Sequence, residues 1–172
     1  MYSRKRHHKG LLLALSLFLF LPQQENYANL ARIEPVPFRS LQLKSGVSVN
    51  NAERLFYEGM ASYVKKDYAG AVKSLLQAVS VDSTDADFYF YLGLSYLLSD
   101  QIDPAILYLQ QAANLAGGSV QEKAYWYLGN AWLVKEEPEL ALQAFRKVVE
   151  IAMDYQWDAA EIIGEIENLK PE

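Results

Sequence analysis

Residue types that usually carry catalysis are scarce in this chain of 172 residues. Its two histidines, His7 and His8, stand side by side in a basic N-terminal stretch, and the sequence contains no cysteine. A thiolate nucleophile, a disulfide framework and a cysteine-based zinc or iron–sulfur site are therefore excluded. The sequence also lacks a glycine-rich phosphate loop and a calcium-loop spacing of carboxylates. We predict that the protein is not an enzyme and uses no cofactor and no metal.

Other groups that could perform acid–base chemistry have a structural explanation. The acidic pairs Glu136 with Glu137 and Asp82 with Asp85 stand where helices are predicted to end or begin, and carboxylates are common at such solvated ends. Tyrosine is abundant, with 12 residues, but several tyrosines recur with the repeat described next. An aromatic residue that recurs with a structural repeat indicates core packing, so these tyrosines are not candidates for catalysis. With no catalytic group left, we expect the protein to act by binding through apolar side chains.

A pattern of small and large apolar residues returns three times along the chain. Its glycines are separated by 34 and 36 residues, and the same two spacings relate three alanines and three large apolar residues. Such a period is the signature of helix-turn-helix repeats that stack side by side. The small residues allow two helices to cross closely, while the large ones fill the space between them. The three sets are Gly59, Gly93 and Gly129; Ala71, Ala105 and Ala141; and Leu75, Leu109 and Phe145.

The elements that carry this pattern are predicted to be antiparallel helical pairs followed by one further helix. Asn50 is expected to cap the first helix, Asp85 to start another, and Pro138 to open a third. Asp103 is expected to cap a helix whose first residue is Pro104. The last helix carries an apolar stripe that suits a terminal cap, which a stack of repeats needs. The predicted helices span 51–66 with 68–81, 85–99 with 102–116, 120–135 with 138–152, and 156–169.

The stretch from residue 52 to residue 155 resembles three tetratricopeptide repeats. The resemblance implies an all-α fold, a right-handed α-solenoid with repeats at about 52–85, 86–121 and 122–155 and a C-terminal capping helix at 156–169. Together these form one domain over residues 51–169. The matching residues are Leu55, Gly59, Tyr68, Ala71, Leu75 and Ala78; Tyr89, Leu92, Gly93, Tyr96, Ala105, Leu109 and Ala112; and Tyr125, Leu128, Gly129, Trp132, Ala141, Phe145 and Val148.

The resemblance also implies a binding surface, because the first helix of each repeat lines a concave groove that holds a peptide or a helix of a partner protein. Phe56, Phe90 and Trp126 are expected to converge on this groove. Family members that clamp a C-terminal carboxylate use a Lys and Asn set of which only Lys123 is present, which disfavours that mode. The groove residues carried over are Phe56, Met60, Tyr63, Phe90, Leu94, Leu97, Lys123, Trp126, Asn130 and Leu133.

Two other occupants of this groove stay open. The segment before the repeats could cover it through Phe38, Leu41 and Leu43, or two copies could bury it against each other as a homo-oligomer. The corresponding alternative functions are a self-associating structural solenoid of the cell envelope and a regulatory repeat domain.

The N-terminus is typical of a secretory signal, with a basic stretch before a short apolar run over residues 11–21. Eleven residues of helix span only about 17 Å, well short of a hydrocarbon core of about 30 Å. We predict a signal peptide over residues 1–28, cut after Ala28 or Ala31, or an uncleaved membrane attachment by residues 10–22. Residues 29–50 are predicted to be a linker. The protein is then exported, to the periplasm or the extracellular space.

Charge excludes one class of partner. Loss of residues 1–28 would remove four basic residues and one acidic residue from totals of 16 and 21, leaving a net charge of about −8. So acidic a surface repels phosphate backbones, and the sequence predicts no binding to nucleic acid. A protein or peptide is the expected partner.

Overall fold

The computed structural model describes residues 26–38 and 50–169. Within these residues it contains seven α-helices and one short 3₁₀ helix, Tyr27–Leu30, and no β-strand. This confirms the all-α helical repeat fold. The apolar run at residues 11–21, Leu41 and Leu43 lie outside the described residues. The α-helices are α1 Asn51–Val64, α2 Tyr68–Val81, α3 Ala86–Leu98, α4 Ile102–Leu115, α5 Gly118–Val134, α6 Pro138–Ile151 and α7 Gln156–Leu169.

The helices pair as the sequence predicts, α1 with α2, α3 with α4 and α5 with α6, and each pair stacks on the one before it. Glycine is required at the crossing points because a side chain there would overlap the partner helix. A methyl group on Gly59 would lie 2.7 Å from Leu75 Cγ, and one on Gly129 would lie 2.7 Å from Phe145 Cε1. The repeating glycines therefore set the distance between the two helices of each pair.

Three of the four predicted helix starts are observed. Asn50 Oδ1 accepts a hydrogen bond from the Glu53 amide (2.8 Å), and the Glu53 carboxylate accepts one from the Asn50 amide (2.9 Å). Asp85 caps α3, and Pro138 is the first residue of α6. The prediction for Asp103 is wrong, because α4 already begins at Ile102 and Asp103 lies within its first turn.

The turn inside each helical pair has the same backbone conformation. Lys66, Asp100 and Glu136 have φ angles of 63°, 61° and 57°, in the left-handed region. In all three turns the amide of this residue and the next amide bond to carbonyls in the last turn of the preceding helix. This arrangement satisfies carbonyl groups that would otherwise lack partners at the helix end. It also sets the backbone position of Glu136, whose side chain accepts hydrogen bonds from residues 27 and 28.

Helix α7 closes the stack, as expected for a cap. Ala159, Ile162 and Ile166 of α7 are fully buried against the preceding pair. The connection to α7 is held by Glu122, a buried carboxylate that accepts the amides of three successive residues, 153–155, at 2.9, 2.9 and 3.1 Å. These bonds compensate the burial of its charge. In the described part of the chain, no helix combines the length and apolar character needed to cross a membrane.

Candidate peptide-binding groove

Helices α1, α3 and α5 lie next to one another and form one face of the stack. We call this face, together with the adjoining side of α7, the groove. Residues 26–38, which we call the N-terminal segment, lie in it. The segment begins with the 3₁₀ helix against α5 and α7 and continues as non-helical backbone toward α1. An extended stretch of the chain itself therefore occupies the face that the sequence assigns to a partner.

Three polar side chains of the groove bind main-chain atoms of the N-terminal segment at every second residue. Because these hydrogen bonds are made to the backbone, they can hold an extended chain whatever its side chains are. The hydrogen bonds run from Arg32 N to Asn130 Oδ1 (2.5 Å), from Tyr127 Oη to Glu34 O (2.7 Å) and from Tyr63 Oη to Val36 O (3.1 Å).

The groove side chains are held in the state that these bonds require. The amide nitrogen of Asn130 donates to Trp126 O at 2.8 Å, which turns its oxygen toward the segment. Burial is the main cause that raises the pKa of Tyr63 and of Tyr127 far above the ordinary value. Burial, with a contribution from the charge of Asp87, raises the pKa of Tyr91 to about 12. The phenols therefore stay protonated at physiological pH and can donate hydrogen bonds.

At the α1 end, an aromatic cluster holds Phe38. Its ring meets Phe56 edge-on at 5.9 Å and Tyr91 edge-on at 5.6 Å between centroids. Phe56 in turn stacks on Phe88 at 4.8 Å, and Tyr91 meets Tyr63 at 5.6 Å. Edge-to-face pairs at these distances are favourable beyond the apolar area they bury. Phe38 is therefore held among aromatic rings at this end of the groove.

At the α7 end, the guanidinium of Arg32 faces three carboxylates. It lies 3.4 Å from Asp158, 2.9 Å from Glu161 and 3.7 Å from Glu165. The hydrogen bond to Glu161 is the main cause that raises the pKa of Arg32. The carboxylates recur at one- and two-turn spacing, so they share one face of α7. Arg32 therefore brings one positive charge to a group of three negative charges at this end of the groove.

A further contact lies at the turn between α5 and α6. The two carboxylate oxygens of Glu136 accept the amides of Tyr27 (2.9 Å) and Ala28 (3.2 Å). Residues 27 and 28 open the 3₁₀ helix, so these amides lack partners within that helix. Glu136 therefore fixes where the N-terminal segment enters the groove.

The structure divides the predicted groove residues into two groups. Phe56, Tyr63 and Asn130 contact the N-terminal segment directly. The apolar residues of the second group are buried in the core. They include Phe90, which is 2% exposed and packs on Tyr127 at 5.9 Å, together with Met60, Leu94, Leu97, Trp126 and Leu133. Whether this face binds a partner stays a prediction.

Trp126 and Lys123 lie in positions that the sequence did not indicate. Trp126 is 4% exposed, stacks on Tyr155 at 5.0 Å and meets Phe145 of α6 at 5.5 Å, so its ring is part of the packing between helices. The side chain of Lys123 is half-buried, and its charge partly offsets the rise in the pKa of Asp87 that burial and Asp85 cause. In this conformation the ring of Trp126 is not an open anchor for a ligand.

Sequence reasoning missed several groove contacts. The sequence pattern assigns no role in the groove to Tyr91, Tyr127, Arg32 or the carboxylates of α7. A signal was present in the pattern of prolines at Pro35 and Pro37, which favours an extended backbone. For Phe38, the expectation that it could cover the groove agrees with its position here.

Comparison with known proteins supports the tetratricopeptide repeat family. Residues 59–100 match the family model described as "TPR repeat". The chain is 37% identical over 112 residues to the tetratricopeptide repeat domain-containing protein PYG7, chloroplastic, of Arabidopsis thaliana. This similarity covers 63% of the chain and 36% of the relative, so the chain spans about a third of that protein's length.

Solved structures show the same fold. The Yersinia enterocolitica type III secretion chaperone SycD, in complex with a peptide of the translocator YopD, has a TM-score of 0.64 at 18% identity; 74% of this chain and 100% of that chain are covered. The first TPR of Spaghetti (RPAP3), bound to an HSP90 peptide, has a TM-score of 0.63 at 18% identity over 73% of this chain and 97% of that one. MamA has a TM-score of 0.58 at 25% identity, covering 70% and 78%.

Proposed function

We propose that this protein is an interaction scaffold that binds an extended segment of a partner protein in the groove. One observation carries the proposal: the groove already holds an extended chain through hydrogen bonds to alternate main-chain groups. The similar structures of SycD and Spaghetti were solved with bound peptides, which supports the same use of the fold. Such repeats are in general binding modules and not enzymes.

A partner must displace the N-terminal segment to reach the groove. The segment has no fully buried residue, and its ion pairs to α7 involve carboxylates that are 41–60% exposed. Exposed ion pairs contribute at most about 1 kcal/mol each. A partner segment that makes equivalent contacts can therefore displace the N-terminal segment. Because that segment is covalently attached to the repeats, the stability of its contacts determines how tightly a partner must bind to compete with it.

We also propose that the chain is exported, with residues 1–28 acting as the signal. The basic stretch and short apolar run support this. Both predicted cuts, after Ala28 and after Ala31, remove the two residues that contact Glu136 and leave the stretch from Arg32 to Phe38 in the mature chain. N-terminal sequencing of the protein recovered from cell-envelope and extracellular fractions tests the proposal. Recovery of the full chain with its N-terminus intact in the cytosol would contradict it.

Peptide selection tests groove binding. The full chain with Phe38→Ala, which weakens its own segment, is used to select binders from a random peptide library. Selected peptides are then measured on the same chain with Tyr63→Phe and Tyr127→Phe added. Each substitution removes one donor to a bound carbonyl, worth about 0.5–1.5 kcal/mol, so the two together should lower affinity by about fivefold to 150-fold.

The matched control replaces Tyr96 and Tyr108 with phenylalanine. These rings stack on each other at 5.5 Å between α3 and α4, so their hydroxyl groups should not affect a groove ligand. Failure to select any peptide, or equal losses in the groove and control variants, would contradict the proposal. Light scattering across concentrations separates it from self-association, because a scaffold with its groove covered in cis should stay monomeric.

A further inference from the structure

The centre of the groove holds the segment through its backbone. Its three hydrogen bonds engage main-chain atoms of residues 32, 34 and 36. The side chains of Glu34, Pro35 and Pro37 are exposed, so they contribute little to recognition. Ile33 and Val36 are half-buried and pack against the core as apolar contacts. Selectivity for charge and for an aromatic ring therefore comes from the two ends.

Prolines fit this centre for a physical reason. The groove binds the carbonyl oxygens of Glu34 and Val36, the residues that precede Pro35 and Pro37. Proline lacks only the backbone N–H, and none of the three hydrogen bonds at the centre uses the N–H of residue 35 or 37. A residue that precedes proline is held in the extended region, which is the conformation needed here. A ligand with prolines at these positions is already extended when free and loses less conformational entropy on binding.

The two ends stand a fixed distance apart and differ in chemistry. Arg32 meets three carboxylates of α7, and Phe38 meets the rings of Phe56 and Tyr91. The anchors are six residues apart in sequence, which is about 19 Å in a polyproline-like chain. Because α7 and α1 belong to one packed stack, this distance does not adapt to a ligand with different spacing.

We infer that the groove is specific for partner segments with a basic residue followed six positions later by an aromatic residue, joined by an extended, proline-containing stretch. This inference rests on the proposed function and names the chemistry of its ligand. The seated N-terminal segment, with Arg32, Pro35, Pro37 and Phe38, is the intramolecular form of that ligand. The partner segment takes its place in trans.

Direct binding of synthetic peptides tests the inference. The probe is a fluorescently labelled peptide with the sequence of residues 26–38 and blocked ends. The receptor is the full chain carrying Arg32→Ala and Phe38→Ala, which removes both of its own anchors. We expect saturable binding to this receptor and weaker binding to the wild-type chain, whose groove is filled.

Changes in the peptide test each element of the pattern. Arg32→Glu places a carboxylate against three others and should weaken binding about tenfold. Phe38→Ala should weaken it about tenfold to a hundredfold, because a buried aromatic ring is lost. One glycine inserted after Pro35 keeps both anchors but shifts their spacing, so it should cost as much as losing one anchor.

A charge exchange separates recognition from general electrostatics. Glu161→Lys in the receptor leaves Asp158 and Glu165 in place, so it should sharply reduce the advantage of the wild-type peptide over the peptide with Glu at position 32. The control is Glu167→Lys, the same change on the same helix at a residue that pairs with Arg146. It should leave the peptide ranking unchanged.

The outcomes distinguish this inference from the function it rests on. Equal binding of all peptides, or no binding of the probe to the emptied receptor, overturns the inference. If the library selection still returns groove ligands without the basic and aromatic anchors, the proposed function stands and the pattern fails. If no groove ligand is found by either route, both fail. Dimers in which one copy's segment fills the groove of another would make a second copy the ligand and overturn the assignment to a partner protein.

Discussion

Replacing Gly93 with alanine is expected to destabilise the fold, although alanine is the better helix former. Gly93 lies on α3 where it crosses α4. A methyl group there would lie 2.8 Å from both Cγ and the backbone nitrogen of Leu109 and 3.2 Å from the carbonyl oxygen of Ala105. Because ordinary contacts begin near 3.4 Å, the helices would have to separate by about 0.6 Å. Backbone atoms cannot rotate away, so the overlap is relieved only by moving a helix.

Two opposing effects set the size of the change. Alanine in a helix interior gains about 1 kcal/mol over glycine. Overpacking of a closely packed core costs typically about 1–3 kcal/mol. The difference is a net loss of up to about 2 kcal/mol in the free energy of unfolding, with a central value of about 1 kcal/mol. For a domain of this size a loss of about 1 kcal/mol lowers Tm by about 4 °C.

Gly164→Ala is the matched control, since Gly164 lies inside α7 and an added methyl group would meet nothing within 4 Å. It should show the helix gain alone and raise stability by about 0.5–1 kcal/mol. Thermal and urea unfolding followed by circular dichroism give both values on the full chain. If Gly93→Ala were as stabilising as Gly164→Ala, the explanation of the repeating glycines by close helix crossing would be refuted.

Three further predictions concern buried groups. Glu122→Ala leaves three amides without their acceptor and should cost about 2–3 kcal/mol in urea unfolding, with Glu122→Gln costing less; no loss would show that water replaces the carboxylate. Trp126→Ala should lower the free energy of unfolding by about 3–5 kcal/mol, because the ring packs between Phe145 and Tyr155. Full stability with loss of peptide binding would instead make Trp126 the groove anchor predicted from sequence. Burial raises the pKa of Tyr91 to about 12, so the folded state holds this proton more tightly than the unfolded chain. Stability should therefore fall as pH rises from about 10 to 12. Tyr91→Phe should make the free energy of unfolding, measured by urea unfolding across this range, depend less steeply on pH.

Local sequence determined the repeat scaffold because its signals act over short distances. The capping residues Asn50 and Asp85 bond to amides two or three residues away, and the helix bounds follow from them. The prediction for Asp103 failed because it gave Pro104 the first helical position, where proline is favoured. The structure begins α4 two residues earlier, and the side chain of Asp103 pairs with Lys135 of the next repeat. Local preference alone does not contain that contact.

The groove depended on tertiary structure to a greater degree. Its contacts join residues that are 18 to 133 positions apart in sequence, from Phe38 with Phe56 to Arg32 with Glu165. No periodicity marks the N-terminal segment, so the sequence predicted a partner for this face and left a second copy and this segment as open alternatives. Trp126 shows the same limit, since its position on α5 pointed to the groove while the arrival of α6 and α7 placed its ring in the core.

The sequence by itself determined that three helical pairs and a cap would stack, because the spacing of glycine, alanine and leucine repeats with the helical unit. Only the tertiary structure decided which of the apolar side chains on the first helices line a surface and which are enclosed. The physical reason is that burial depends on all the elements that converge on a residue. Those elements come from distant parts of the chain, and their local sequence does not show where they pack.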